Sequence, residues 1–157
     1  MKGNAMKTVY SVSGLLPMDF VGQIAYTVCL DKPYKALDVQ MTFDKQLVTE
    51  VTPALKNRLF SLCADKYGKL SFSPEEEAEA YRNMKTEIQL LVMMNDQFVG
   101  GIHRQMTDRH LYISAEQATE GGISQLSIEG VLKVIILVFN VLYDDTKYTV
   151  TLRTEEE

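Results

Sequence analysis

The most apolar stretch of the chain is Ser127–Asp144, and the spacing of its polar residues predicts its secondary structure. Glu129, Lys133 and Asn140 fall on one narrow stripe of a helix with about 3.6 residues per turn. A strand would turn Lys133 and Asn140 to opposite faces, which explains the pattern less well. The spacing therefore predicts a helix over 127–144, capped at its start by Ser127 and buried on nearly all sides.

Alternating apolar and polar positions predict strands in the first half of the chain. Thr8–Val12 is typical of a strand, and Gly22–Leu30 and Leu37–Phe43 alternate more clearly. Between the last two lies Asp31–Tyr34, whose proline favours a turn. These two runs are therefore predicted to form an antiparallel hairpin with one solvated face.

Two helices are predicted in the middle of the chain from their capping residues. Thr52, followed by a proline, is typical of a helix start, and a helix over 53–67 then ends at Gly68. Ser73, with a glutamate three residues later, forms a capping box. It opens a second helix over 74–85, which is predicted to link two halves of the chain.

Further strands are predicted in the second half. Glu87–Met94 is apolar on both faces, so its pattern alone leaves helix and strand open. Phe98–Gln105 and Arg109–Ala115 are predicted to form a second hairpin across Thr107–Asp108. Lys147–Arg153 alternates and is predicted to close the sheet.

Short motifs recur at one offset along the chain, which indicates an internal duplication. The recurring segments are Phe20–Ile24 with Phe98–Ile102, and Lys69–Ser73 (predicted as a short strand) with Lys147–Thr151. The same offset aligns the strand at 8–12 with 86–90 and favours a strand there. The match is imperfect, because the helices at 53–67 and 127–144 align best at a slightly different offset.

The predicted fold class is α+β in a single domain over 1–157, with helices packed on one face of a mostly antiparallel sheet. A β-β-β-α-β unit is predicted to occur twice, over 7–73 and 86–153. The predicted helix at 127–144 lacks a polar face, so another part of the structure has to cover it. Cover from the rest of the chain is favoured, and the alternative is a second copy, which makes a homodimer.

Composition and charge narrow the classes of function. The chain has 157 residues, of which 46% are hydrophobic and 24% charged, which is ordinary for a soluble globular protein. Its net charge is −5 without a basic stripe, so no nucleic-acid partner is predicted. No uninterrupted apolar run reaches the roughly 20 residues of a membrane span. Cys29 and Cys63 are predicted to be buried, reduced thiols, which favours a cytoplasmic location.

The two histidines of the chain are the candidate catalytic residues. In the predicted second hairpin, His103, His110 and Tyr112 share one face, with His103 opposite Tyr112. Such a group suits acid–base catalysis or metal binding, with Asp108 or Glu116 assisting. A solvated outer face is the simpler explanation and is favoured. No metal site and no cofactor are therefore predicted.

The sequence shows no motif for phosphate or dinucleotide binding and no nucleophile elbow. The predicted function is therefore a non-enzymatic protein-binding or assembly module, with self-association as one form of it. Two alternatives stay open. One is a small-ligand carrier with a pocket between sheet and helices. The other is an enzyme whose chemistry centres on His103 and His110.

Overall fold

The computed structural model describes residues 5–156, in which the chain forms seven strands and two helices. The protein is α+β and mainly β, because all the strand pairs are antiparallel and both helices are short. The strands are β1 (Lys7–Leu16), β2 (Gly22–Phe43), β3 (Glu87–Met94), β4 (Gln97–Ile102), β5 (Asp108–Ser114), β6 (Ile128–Asn140) and β7 (Thr146–Glu156). The helices are α1 (Pro53–Tyr67) and α2 (Pro74–Asn83).

The long strand β2 organises the sheet because it changes partners along its length. Residues 22–30 pair with β6, and residues 36–42 pair with β5 on one side and β7 on the other. The register shifts between Leu30 and Tyr34, where Pro33 has no backbone N–H to donate. The predicted hairpin of Gly22–Leu30 with Leu37–Phe43 is therefore wrong. No residue between Leu30 and Tyr34 has the positive φ that tight hairpin turns need, so the chain continues as one strand.

The bend in β2 folds the sheet into two facing halves. Half-sheet I contains β1, β7, residues 34–43 of β2, and β5; half-sheet II contains residues 22–30 of β2, β6, β3 and β4. The rings of Tyr10 on β1 and Tyr26 on β2 lie 6.3 Å apart although their strands are not paired. On the other side, Arg109 of β5 donates a hydrogen bond to the carbonyl of Ile88 on β3 at 2.5 Å. The inward side chains of both halves thus form one hydrophobic core.

Strand β6 occupies the stretch for which a helix is predicted. The predicted helix over 127–144, with its cap at Ser127, is wrong. Alternate residues point into the core and are at most 2% exposed: Leu132, Val134, Ile136 and Val138. Valine and isoleucine dominate the stretch, and their branched side chains favour strands. Lys133 lies on the outward face of the strand, where its Nζ donates to Asp96 at 2.7 Å. The spacing of the polar residues therefore does not reflect a helix.

The predicted helices at 53–67 and 74–85 are present, and their caps form as predicted. The Thr52 hydroxyl accepts from the backbone N–H of Leu55 at 3.1 Å, and Gly68 ends α1 with φ of 63°. The capping box of Ser73 opens α2, which ends at Asn83. These caps are local, so their sequence signals suffice to place both helix starts.

The helices pack at one end of the sheet and do not lie on a sheet face as predicted. A second, smaller core joins them to the β6–β7 connection; its buried members are Leu55, Leu59, Tyr81 and Leu142. Arg58 of α1 ties this end together, since it donates to the Val141 carbonyl at 2.7 Å and pairs with Asp19 at 2.7 Å. Within residues 5–156, neither face of half-sheet II is consequently covered by a helix.

The predicted internal duplication is not confirmed. The first predicted repeat, 7–73, contains β1, β2 and α1, whereas the second, 86–153, contains strands β3 to β7 and no helix. Lys69–Ser73 is irregular and not the predicted strand, while Lys147–Thr151 lies within β7. Short alternating motifs recur in unrelated strands because few residue types favour them.

Candidate functional site

The structure places the two histidines on different half-sheets. Strand β4 pairs with β3, and β5 pairs with β2, so the predicted second hairpin of Phe98–Gln105 with Arg109–Ala115 is wrong. His103 hydrogen-bonds through Nδ1 to the outward side chain of Gln89 on β3 at 3.0 Å. His110 instead hydrogen-bonds to Asp38 of β2 at 3.1 Å, on the outer face of half-sheet I. The predicted arrangement of His103 opposite Tyr112 does not exist.

His110 belongs to a closed ring of polar side chains on the outer face of half-sheet I. Asp38 accepts from His110 and also from Arg153, whose Nη1 lies 3.2 Å away. The other guanidinium nitrogen, Nη2, donates to Gln40 at 2.9 Å, and Gln40 donates to Asp108 at 2.9 Å. Nε2 of His110 lies 3.4 Å from Asp108 and completes the ring.

This ring crosses three strands, and its chemistry is that of a cross-strand network. Arg153 comes from β7, Asp38 from β2 and His110 from β5, and the three residues occupy neighbouring positions in the strand register. An imidazole between two carboxylates could carry a proton between them. Within the described residues the ring satisfies most of its own polar atoms, so a structural role accounts for it. The catalytic role of His103, His110 and Tyr112 stays a prediction.

Asp38 is expected to stabilise the fold more than the other carboxylate of this ring. Its side chain is 13% exposed and accepts from two residues, whereas that of Asp108 is 58% exposed. Asp38→Ala should lower the free energy of unfolding by about 1–3 kcal/mol, because it removes charge-assisted bonds from a largely buried group. Asp108→Ala should cost less than about 1 kcal/mol. Urea denaturation of both variants measures the difference, and equal losses would contradict this ranking.

Tyr112 lines a cleft of about 380 Å³. The cleft lies at one end of half-sheet I, next to the bend in β2. Tyr34 and Lys35 of β2 form one wall, and Glu116 with the exposed Leu126 form another. Glu116 therefore lies in this cleft and not beside His103. The cleft is open and shallow, and it differs from the pocket between sheet and helices that the carrier hypothesis requires.

The described residues contain no group of three or more His, Cys, Asp or Glu side chains arranged to hold a metal ion. Cys29 and Cys63 are both free thiols. Cys29 is exposed and Cys63 is half-buried, so the prediction that both are buried is wrong. Cys29 alternates with inward neighbours on β2 and therefore lies on the outer face of half-sheet II.

The outer face of half-sheet II is mostly apolar, with Lys133 as the charged residue in its centre, although nothing covers it within residues 5–156. Val131 and Phe139 of β6 are 42% and 49% exposed, and Phe98 of β4 is 47% exposed. The half-buried side chains between them continue the same surface. We call the whole set the apolar outer face; it comprises Ala25, Cys29, Leu91, Met93, Phe98, Val131, Ile135, Leu137 and Phe139.

The two half-sheets differ sharply in the chemistry of their outer faces. Half-sheet I presents hydroxyl, amide and charged groups; for example, Ser13 and Thr149 approach each other at 2.7 Å. Solvated faces of antiparallel sheets are normally polar in this way. The apolar outer face of half-sheet II is the exception. In the sequence this face is visible because β6 has apolar residues at both its inward and its outward positions. The same pattern led to the prediction of a helix buried on nearly all sides.

Arg109 is a second feature that the sequence predictions miss. It is fully buried on the inward face of β5, in phase with Leu111 and Ile113. Its guanidinium binds backbone carbonyls: Nε donates to Met106 at 2.8 Å and Nη1 to Ile88 at 2.5 Å. The sequence of β5 does indicate this burial, because Arg109 alternates in step with the apolar residues Leu111 and Ile113 and therefore points to the same side of the strand.

The comparison with known families places almost the whole described chain in one group. Residues 6–157 match the model of a family of unknown function, DUF6669. The chain belongs to this family. A search of curated proteins gives no significant match. In the part of the chain that the structure describes, both helices are too short and too polar to cross a bilayer.

Proposed function

We propose that this DUF6669 protein is a non-enzymatic protein-binding or assembly module that binds a partner protein through the apolar outer face of half-sheet II. The observation that supports this function is a broad apolar surface on a sheet whose helices pack elsewhere. Contiguous apolar surface of this kind marks sites of protein association. Fully burying one large apolar side chain contributes about 1.5–3 kcal/mol, so several partly exposed ones give an interface useful binding energy.

The apolar outer face contains two polar side chains that are already bonded within the chain. Lys133 lies between Val131 and Ile135 on β6, and its Nζ pairs with Asp96 at 2.7 Å; Gln89, opposite Leu137, bonds to His103. Because each of these groups already has a partner, burying them in an interface costs less than burying free polar groups. The exposed thiol of Cys29 on the same face favours a reducing compartment, and we propose the cytoplasm as the location.

The alternative functions require groups that converge in a cavity. An enzyme centred on both histidines requires them to act on one substrate, yet His103 and His110 lie on the outer faces of different half-sheets. A small-ligand carrier requires an enclosed apolar space. The core between the half-sheets is instead occupied by their own side chains. These observations support the binding module over both alternatives.

Substitutions at the two exposed apolar residues of β6 on this face test the proposal. Phe139→Glu and Val131→Glu should each weaken the binding of a partner by at least about tenfold, because the interface then has to bury a charge without a counter-ion. Ser11→Glu, on the polar outer face of half-sheet I, is the matched control. The full chain and the three variants serve as baits against lysate, and each retained protein is then purified and titrated against all four.

The expected result is a partner that binds the wild-type chain and Ser11→Glu with similar affinity and binds neither β6 variant well. A partner that binds all four proteins equally would contradict the apolar outer face as the site. Hydrolysis or conversion of a substrate that His103→Ala or His110→Ala abolishes would instead support the enzyme alternative.

A further inference from the structure

We infer that two copies of this chain pair through the free edge of β2, residues 22–30, in antiparallel orientation. Along this stretch β2 pairs with β6 on one side, and within the described residues its other side has no strand partner. A free strand edge presents a row of backbone N–H and C=O groups, whose natural partner is another strand. The inference deepens the proposed function by naming one partner, and it rests on the edge and not on the apolar outer face.

The two half-sheets have three other outer edges, those of β1, β4 and β5, and each has some protection that residues 22–30 lack. The outer edge of β5 is covered by the loop that follows it, through a bridge between Ile113 and Ala118. The edge of β4 is covered by a loop, because Gly101 donates to the Gly121 carbonyl at 2.9 Å and Ile123 donates to the Val99 carbonyl at 2.8 Å. Strand β1 carries a bulge between Thr8 and Tyr10. Residues 22–30 pair in continuous register with β6 and contain no proline and no charged residue. Edges without charge, proline or bulge are open to pairing.

The inward side chains of this edge are less buried than those of its partner strand β6. The inward side chains of Ile24, Tyr26 and Val28 are half-buried, whereas those of β6 opposite them are buried. The hydroxyl of Tyr26 lies 2.5 Å from that of Tyr148, which leaves the ring at the margin of the core. The apolar outer face adjoins the same edge through Ala25. A strand added here would cover apolar surface on both sides.

Charge favours a second copy as the occupant. The chain carries a net charge of −5, so two copies repel each other in general, but the uncharged run 22–30 places no like charges opposite one another. Antiparallel pairing near Tyr26 brings the start of one edge beside the end of the other. Asp19 lies before the start and is paired with Arg58, and Lys32 lies after the end and is paired with Glu156, so charges of both signs are present at each limit of the paired region. An antiparallel pair of identical strands is self-complementary, as a twofold dimer requires.

Thr27→Lys tests the pairing, since residue 27 has an exposed, outward side chain on the edge. Wild-type protein should show a mass in light scattering that rises with concentration toward twice the 17.8 kDa of one chain. Thr27→Lys should raise the dissociation constant of the dimer at least about tenfold, because the two lysines then lie diagonally across the paired edges on the same face and repel. An equimolar mixture of Thr27→Lys with Thr27→Glu should restore the dimer, and Thr107→Lys, an exposed threonine in a loop, should leave it unchanged.

A wild-type chain that stays monomeric at every concentration would overturn the inference, and so would a Thr27→Lys variant that dimerises normally. Thr27→Glu by itself repeats the test if Thr27→Lys does not fold, because two glutamates repel in the same way and residue 27 lies opposite Lys133 in the sheet. Phe139→Glu separates the two proposals: it should lose the partner protein yet keep the dimer. Loss of dimer by Phe139→Glu with retention by Thr27→Lys would place self-association on the apolar outer face instead.

Discussion

Arg109→Met is expected to lower the free energy of unfolding by about 2–4 kcal/mol, although it removes a charge from the core. The guanidinium hydrogen-bonds to Met106 and Ile88, and Nη1 also lies 3.5 Å from the carbonyl of Ile102. These carbonyls come from β3, from the end of β4 and from the loop before β5. Arg109 therefore supplies hydrogen bonds where β4 and β5 do not pair, and its loss leaves buried carbonyls without donors.

The charge of Arg109 is maintained in spite of its burial. Burial lowers the pKa of Arg109 to about 10, so the side chain stays protonated at neutral pH. Its guanidinium carbon lies 5.5 Å from the centre of the Phe43 ring, which adds a cation–π contact. Methionine matches most of the volume but donates no hydrogen bond, so the substitution separates hydrogen bonding from packing.

Arg104→Met is the control for Arg109→Met. Arg104 is 70% exposed and pairs with an exposed glutamate, so its loss should change the free energy of unfolding by no more than about 0.5 kcal/mol. Equilibrium urea denaturation of both variants gives the comparison. An Arg109→Met protein as stable as the wild type would show that the buried carbonyls find other donors.

Ile136→Ala and Leu137→Ala are expected to differ strongly, although the two residues are adjacent. Ile136 is fully buried between Ile24 and Leu90 on the inward face, so its truncation should cost about 2–5 kcal/mol. Leu137 is half-buried on the apolar outer face, and its truncation should cost less than about 1.5 kcal/mol. Thermal or urea denaturation measures both losses.

This pair distinguishes a strand from a helix buried on all sides. In such a helix both residues would lie in the core and both truncations would be severe. The difference also separates stability from binding, because Leu137→Ala should weaken a partner that binds the apolar outer face while the fold remains intact. Similar losses of stability at both positions would indicate that the outer face is covered in solution.

Elements defined by local signals are predicted well from the sequence. The caps of α1 and α2 depend on residues within one turn of the helix start. The sequence also marks the turn between β3 and β4 locally, because the pair Asn95–Asp96 is a turn signal, and both residues take positive φ values, 51° and 62°, in the hairpin. The strands β5 and β7 follow from clean alternation.

Elements that exchange partners are not predicted. Pro33 marks a turn in most contexts, yet here it marks the place where β2 leaves β6 and joins β5 and β7. The predicted pairing of His103 with Tyr112 failed for the same reason, because β4 and β5 are adjacent in sequence but pair with different strands. Strand pairing depends on contacts between distant residues, which the pattern of one segment does not contain.

The stretch from Ser127 to Asp144 shows both contributions. The sequence by itself determined that this segment is apolar on every side and needs cover on more than one face. Only the tertiary structure decided that it is a strand, because pairing with β2 and β3 satisfies its backbone groups and directs alternate side chains into the core. A period of two then turns the remaining apolar side chains outward, and this is why the fold carries an apolar outer face.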